Sequence, residues 1–352
     1  MNSGLRVLLA AGLVCLPTGC YYHGGSLEKH GGGNTPILSD TGPGFDVRTV
    51  ALLPPWKERQ RNTSSSPDAK DSQPSIYADD ADRWLVYVST SQSNNPKLFL
   101  KDPAGAAIRQ LTYGLSSDLF PRFSPDGKWI AFASDRNGNW DIYVIHRDQP
   151  VMVRQVTFSM DDDIAPSWSP DGKKLAYCSK DASGGWSLWI ADLQTGGFTN
   201  LGPGMFPAWS PNPEPELQRI AFQKPRFRAN HLYGIWTITP DGTQVDQIVH
   251  DDRWAAINPS WSMDGRWIAF ATVNKSPASW DARFQKADDI WAVRRDGTAL
   301  TRVTEDPEPE WNPTWGRDRI YFVSGREGRQ NIWSVRPVFQ EAEETVPSSS
   351  GN

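Results

Sequence analysis

Two stretches of the chain, residues 121–134 (PRFSPDGKWIAFAS) and 166–179 (PSWSPDGKKLAYCS), are nearly the same. Related copies begin at six prolines, which are Pro74, Pro121, Pro166, Pro207, Pro259 and Pro313. The copies start between 41 and 54 residues apart, and no convincing helical spacing of apolar residues lies between them. Such a period indicates stacked structural units, and its length is typical of the four-stranded blade of a β-propeller.

The copy that begins at Pro121 contains the segments of one antiparallel blade. A first strand leads into SPDG (124–127), which suits a tight turn. Proline presets φ at the second position, the aspartate side chain can form a hydrogen bond with its own backbone, and glycine adopts the strained conformation of the last position. The next stretch, KWIAFAS (128–134), is apolar on both faces, as expected of a strand packed between neighbouring blades. WDIYVI (140–145) and VRQVTF (153–158) supply the third and fourth strands.

The sixth copy has no fourth strand of its own, and an unclosed ring would leave an exposed sheet edge. Residues 47–53 (VRTVALL) precede the first copy, and we expect this N-terminal strand to complete the last blade. Residues 57–73 then form a polar connector. The prediction is an all-β, six-bladed β-propeller of four-stranded antiparallel blades over residues 47–336, followed by a disordered tail at 337–352.

The first residues indicate export. An apolar run at 7–16 is too short to span a bilayer, and LPTGC (16–20) resembles a bacterial lipoprotein signal. We expect residues 1–19 to be the signal peptide, Cys20 to be lipidated and the Gly-rich residues 20–46 to form a flexible tether. An ordinary signal peptide cleaved nearby is the alternative. Tyr21 stands where an aspartate would favour inner-membrane retention, so the outer membrane is expected.

The repeats resemble the propeller of the TolB family, in which the phrase PxWSPDGxxIAFxS precedes DIYV-like and RQLT-like strands. The resemblance covers roughly residues 47–336. It implies protein partners in the cell envelope, notably the peptidoglycan-associated lipoprotein. Members of that family carry an α/β domain ahead of the propeller and are soluble in the periplasm, whereas about 50 residues precede the first copy here. The resemblance therefore implies a TolB-like propeller lipoprotein and does not imply a role in the Tol system.

No pattern in the sequence indicates an enzyme, a metal or a cofactor. Related propellers gate peptidases whose nucleophile sits on a GxSxG elbow, and propeller lyases hold a metal with clustered histidines. This chain has no such elbow, its 5 histidines are widely spaced, and HExxH, CxxC and Gly-rich phosphate loops are missing. Cys178 is expected to be a small buried filler. A net charge of −5 argues against binding to nucleic acid.

Acidic residues precede the repeat proline by three positions in the second, third and sixth copies. They are Asp118, Asp163 and Glu310. This position leads into the innermost strand, so the carboxylates are expected to ring one mouth of the central channel, where a cation or a basic partner group could sit. The alternative is that they cap turns and solvate loops.

Strand order places the loops between second and third strands, and the links between blades, on one face of the disc. Two insertions belong to this face, at residues 223–231 and 274–286. The candidate partner-binding residues combine aromatic and arginine side chains, which are typical interface anchors. They are Arg226, Phe227, Arg228, Trp254, Trp280, Arg283, Phe284 and Trp311. Trp254 and Trp311 are expected to be exposed in the links between blades on this face. The alternative is that the tryptophans fold back on their own blades.

These features favour a membrane-anchored, non-enzymatic propeller that binds a protein in the bacterial cell envelope, lipid-anchored in the outer membrane and facing the periplasm. A propeller that binds saccharides or peptidoglycan fragments on tryptophan platforms is the second possibility. A lyase or hydrolase is the third.

Overall fold

The strands form six four-stranded antiparallel sheets, each of which follows chain order except the last. The computed structural model describes residues 56–63, 69–78, 83–102, 107–225, 233–251, 254–274 and 289–339. Blade one contains β2 (Asp71–Ala78), β3 (Arg83–Ser89), β4 (Lys97–Lys101) and β5 (Ile108–Gln110), and blade two contains β6 (Asp118–Phe123), β7 (Trp129–Ser134), β8 (Asp141–His146) and β9 (Val153–Gln155). Blade three contains β10 (Asp162–Trp168), β11 (Lys174–Lys180), β12 (Trp186–Asp192) and β13 (Phe198–Pro203), and blade four contains β14 (Met205–Trp209), β15 (Ile220–Pro225), β16 (Tyr233–Ile238) and β17 (Val245–Val249). Blade five contains β18 (Trp254–Trp261), β19 (Trp267–Asn274), β20 (Ile290–Arg294) and β21 (Thr301–Arg302), and blade six contains β22 (Glu310–Trp315), β23 (Ile320–Ser324), β24 (Asn331–Pro337) and the N-terminal strand β1 (Trp56–Arg61).

The sheets are arranged as the blades of a propeller. The first strands β2, β6, β10, β14, β18 and β22 contact one another in this order, and β22 returns to β2, so they surround a central channel. The prediction of an all-β, six-bladed propeller with four-stranded antiparallel blades is therefore confirmed. No helix among the described residues is long and apolar enough to cross a membrane.

The closing strand comes from the N-terminal side, as predicted, but from a different segment. β1 pairs with β24, with Lys57 opposite Arg336 and Gln60 opposite Ser334. It therefore overlaps the segment 57–73 that was expected to be a connector, while residues 47–53 fall outside the described part of the chain. An outermost strand is half-solvated, so the polar sequence WKERQR suits this edge as well as an apolar run would.

Each innermost strand carries a bulge at the same place. The residue before the repeat proline has a positive φ of 49 to 56° in all six blades, at Gln73, Phe120, Ala165, Phe206, Asn258 and Asn312. The pairing register shifts at each of these residues, which is the signature of a β-bulge. The rings of Phe120 and Phe206 meet with centroids 5.7 Å apart although blade three separates their strands, so they narrow the central channel.

The repeated turn SPDG has the predicted geometry. Ser124 Oγ lies 2.6 Å from Asp126 Oδ1, which also accepts a hydrogen bond from the amide of Lys128. Gly127 has a φ of +66°, a left-handed conformation that favours glycine. The turn at residues 169–172 repeats these contacts, with a φ of +68° at its glycine.

The second strands form the core between blades. In β7 the residues Ile130, Ala131, Phe132 and Ala133 are fully buried, which explains their apolar character on both faces. Cys178 occupies the same layer in β11, and burial raises its pKa to about 12. This thiol is therefore protonated at neutral pH, as expected of a small buried filler.

Candidate functional site

The antiparallel blades give the disc two different faces. One face, here called the linker face, carries the loops between second and third strands and the links between blades, such as residues 111–117 and 156–161. The opposite face, here called the turn face, carries the SPDG turns. Of the predicted partner-binding residues, six lie outside the described part of the chain, as does Cys20; the six are Arg226, Phe227, Arg228, Trp280, Arg283 and Phe284.

The two described tryptophans of that prediction lie in innermost strands and not in inter-blade loops. Trp254 is the first residue of β18 and is 8% exposed. Its ring stacks on Phe270 and Trp291 of its own blade, with centroids 6.0 and 5.7 Å apart. Trp311 is half-buried in β22 and packs against the core of blades five and six. The expectation that both are exposed loop residues is wrong, because each covers apolar surface in its own blade.

The three predicted acids lie at the linker-face ends of the innermost strands of three different blades, and all of them are buried. Asp118, Asp163 and Glu310 are at most 1% exposed. They do not form an open ring of carboxylates around the channel mouth. A fourth acid, Asp71, has the same position in blade one, and burial raises its pKa. Its spacing of three residues before Pro74 could have identified it from the sequence.

Asp118 is held by two basic side chains. Lys97, from the third strand of blade one, is 1% exposed and places Nζ 3.1 Å from Asp118 Oδ2. Arg136, from the loop after β7, donates to Oδ1 at 3.1 Å. A carboxylate with both oxygens in charge-assisted bonds has little capacity for a further ligand. The basic group expected at this position is therefore supplied by the chain itself.

Glu310 in blade six is neutralised in the same way. Arg326, from the loop after β23, forms ion pairs with Glu310 and, at 3.5 Å, with Asp306. Arg59 of the closing strand also binds Asp306, at 3.1 Å. Desolvation by burial lowers the pKa of Arg326 to about 10, so it still carries its charge at neutral pH. This cluster ties the closing strand to the linker face.

Asp163 in blade three has a different environment. Its Oδ2 accepts one hydrogen bond, from Ser159 Oγ at 3.3 Å, and its Oδ1 has no partner among the described residues. Burial raises its pKa to about 6, against the lowering effect of hydroxyl groups nearby, including that of Ser179. Asp163 lines a cavity of about 300 Å³ that opens beside the link from blade two to blade three. Asp163 therefore adjoins open space.

The linker face also exposes large apolar side chains that the sequence interpretation missed. In the link between blades one and two, Tyr113 is 68% and Leu115 is 93% exposed. In the next link, Phe158 is 71% and Met160 is 97% exposed. The four stand at matching positions, one and three residues after a buried threonine (TYGL and TFSM). That repeated spacing was the available signal.

Within the described ranges no group of three or more His, Cys, Asp or Glu side chains could hold a metal ion. A second cavity, of about 570 Å³, lies on the turn face between blades three and four. Its lining is mostly polar, and Trp209 at its edge is buried rather than presented as a platform.

Residues 56–217 match the family model described as the TolB beta propeller domain. A stretch of 67 residues is 40% identical to the Tol-Pal system protein TolB of Roseobacter denitrificans. This stretch covers 18% of the chain and 15% of that relative, so the chain matches a small part of the relative's length.

Solved structures share the architecture. A TolB-type structure from Agrobacterium tumefaciens aligns over 77% of this chain and 92% of that chain, with a TM-score of 0.56 and 20% identity. An oligogalacturonate lyase from Vibrio parahaemolyticus aligns over 79% of this chain and 93% of that chain, with a TM-score of 0.54 and 14% identity. At such identities the likeness shows the fold alone.

Proposed function

We propose that this chain, a TolB-like six-bladed β-propeller, is a non-enzymatic module that binds a protein partner through its linker face in the bacterial cell envelope. The single observation that carries the proposal is the group of exposed apolar residues in two consecutive blade links. Adjacent exposed apolar groups on one face of a soluble domain are typical of a protein interface. The curated relative is named for the Tol-Pal system, which supports a protein partner as the ligand class.

The scaffold suits this role. Each link is short and anchored at both ends by buried strand residues, such as Leu111 and Asp118 around the first link. Loops held in this way present side chains without a large ordering cost on binding. The exposed aromatic and aliphatic groups Tyr113, Leu115, Phe158 and Met160 would therefore act as anchors already close to their bound positions.

The N-terminal sequence supports an envelope location. The lipoprotein-like motif that ends at Cys20 supports a lipid anchor in the outer membrane, with the propeller facing the periplasm. Metabolic labelling with an alkyne fatty acid tests this part: we expect label on the full chain and none after Cys20→Ala. Equal labelling of both chains would contradict lipidation at this residue.

Site-specific photo-crosslinking in cells tests the binding face. A photoreactive phenylalanine analogue at position 158 should yield a crosslinked partner that mass spectrometry identifies as one envelope protein. The matched control places the same analogue at Val151, which is 91% exposed on the turn face. The double variant F158S/M160S should lose the crosslink formed from position 113, while thermal unfolding stays within about 2 °C of the wild type because both side chains are exposed. Equal crosslinking from positions 158 and 151 would refute the assignment of the linker face.

A further inference from the structure

Every blade contains a cross-strand aromatic pair, formed by the middle of its second strand and the middle of its third. The six pairs are Tyr87–Phe99, Phe132–Tyr143, Tyr177–Trp189, Phe222–Trp236, Phe270–Trp291 and Phe322–Trp333. The repetition allows the blades to be compared at one position. The side chain that packs over each pair, here called its cover, is not of the same type in every blade.

In blades two and six the cover is an arginine. Arg136 places its guanidinium carbon 5.3 Å from the ring centre of Phe132 and 4.5 Å from that of Tyr143, and it also binds Asp118. Arg326 lies 5.6 Å from Phe322 and 4.8 Å from Trp333, and it binds Glu310. In each case one guanidinium group forms an ion pair with an acid of the innermost strand and lies over the aromatic pair.

Blades four and five use other covers. Lys224 places Nζ 5.2 Å from the ring centre of Trp236. In blade five Trp254 stacks on both members of the pair. A cation or an aromatic ring therefore covers the pair in blades two, four, five and six.

Blade three has the acid and the aromatic pair, but among the described residues no cation and no further aromatic ring lies over this pair. Its acid is Asp163 and its aromatic pair is Tyr177–Trp189, and all three line the cavity of about 300 Å³. In blades two and six the covering arginine stands two residues after the serine that ends the second strand, as Arg136 after Ser134 and Arg326 after Ser324. Blade three has Asp181 at the matching position, two residues after Ser179. The Asp181 carboxylate instead accepts hydrogen bonds from the amides of Ser183 and Gly185 within its own exposed loop.

The cavity has the chemistry of a cation receptor. Its described lining contains two carboxylates, Asp161 and Asp163, and no lysine or arginine. Asp163 is 1% exposed, and its Oδ1 lacks a hydrogen-bond partner within the described residues. A buried, unsatisfied carboxylate oxygen next to two aromatic faces would gain charge-assisted hydrogen bonds and cation–π contact from a planar guanidinium group. Phe158 and Phe198, which are 71% and 48% exposed, form the rim.

We propose that the blade-three pocket binds the guanidinium group of an arginine side chain that a protein partner inserts between Asp163 and the Tyr177–Trp189 pair. This inference rests on the proposed function, because it assigns a chemical group to the partner of the linker face. The occupant reproduces in trans the contact that Arg136 and Arg326 make in cis. A guanidinium is favoured over an ammonium because its plane can stack on the rings while its edge binds the carboxylate.

The test uses the probe N-acetyl-arginine methylamide and the propeller at pH 8, followed by nuclear magnetic resonance of the indole N–H group of Trp189. We expect saturable shifts of this resonance with arginine, and at least tenfold weaker binding of the citrulline analogue, which has nearly the same shape but no charge. The lysine analogue is expected to bind at least threefold more weakly than arginine. Equal binding of citrulline or lysine overturns the guanidinium assignment, and so does the absence of any shift with arginine.

Variants locate the binding site. Asp163→Asn should weaken arginine binding at least tenfold, whereas Asp192→Asn, in the exposed turn after the third strand of the same blade, should leave it unchanged. Asp181→Arg should place a guanidinium in the pocket and abolish binding, whereas Asp181→Ala removes the same carboxylate and should retain it. Loss of binding in both Asp181 variants, or retention in Asp163→Asn, overturns the proposal.

The two proposals fail separately. If arginine binds the pocket but crosslinking from position 158 yields no protein partner, the pocket stands and the proposed function is wrong. If a partner is captured through Phe158 and Met160 but arginine does not bind, the proposed function stands and the pocket assignment is wrong.

Discussion

The buried contact between Lys97 and Asp118 joins blades one and two, and replacing Lys97 by methionine tests its energetic role. Methionine keeps most of the packing volume but removes Nζ, which donates to Asp118 Oδ2 and to the carbonyl oxygens of Tyr113 and Ser116. Removing one partner of a buried ion pair costs about 3–5 kcal/mol. Arg136 still binds the other carboxylate oxygen, so we expect a loss near the lower limit, about 3 kcal/mol. This corresponds to a fall in Tm of about 6–12 °C.

Urea unfolding followed by circular dichroism gives the free energies for the four proteins of a double-mutant cycle. Asp118→Asn should also destabilise the fold. The loss in the double variant should be smaller than the sum of the two single losses by at least about 1 kcal/mol, because it removes both fully buried charges of the pair. Lys128→Met is the control, since that amine is largely exposed and 4.0 Å from Asp126. Its effect should stay within about 0.5 kcal/mol. Additive losses, or a loss below about 1 kcal/mol for Lys97→Met, would refute a structural role for this pair.

Two further predictions concern blade three and the turn face. Burial raises the pKa of Asp163 to about 6, so between about pH 4 and pH 6 the unfolded chain releases a proton that the folded chain retains, and stability falls as pH rises through this window. Asparagine does not titrate, so the Asp163→Asn variant does not show this loss. Its free energy of unfolding should therefore rise relative to that of the wild type from pH 4 to pH 7, by up to about 3 kcal/mol. A difference in unfolding free energy that stays constant across this range in urea titrations would contradict the burial argument. Gly127→Ala should cost about 1–3 kcal/mol more stability than Gly172→Ala. Both glycines have a left-handed φ, so the backbone strain is shared, but a Cβ at residue 127 would lie 2.6 Å from the ring of Tyr77, whereas at residue 172 the nearest atom is 3.8 Å away. Equal midpoints in thermal unfolding would show that Tyr77 moves aside at no cost.

The sequence predicted those parts of the fold that depend on local rules. The SPDG turns could be identified because proline, aspartate and glycine each have a fixed conformational role. The six copies aligned on the repeat proline set the number of blades. The closing strand was assigned to residues 47–53 because an apolar run was sought. An outermost strand needs few apolar residues, as the exposed β5 segment IRQ also shows.

The candidate site was predicted less well, because it depends on which residues meet in space. The acids before the repeat proline were identified by spacing, but nothing in the spacing shows that Arg136 and Arg326 return from later loops to cover them. Trp254 was predicted to be a loop residue because no residue pattern in the sequence shows where the link between blades ends and strand β18 begins. Asp71 was missed because the first copy departs from the repeated phrase.

The pairing of β1 with β24 fixes where the preceding polypeptide joins the disc. Trp56 lies opposite Pro337, at the end of β24 that points away from the blade links. The polypeptide therefore enters the propeller on the turn face, opposite to the face that carries Phe158 and the blade-three pocket.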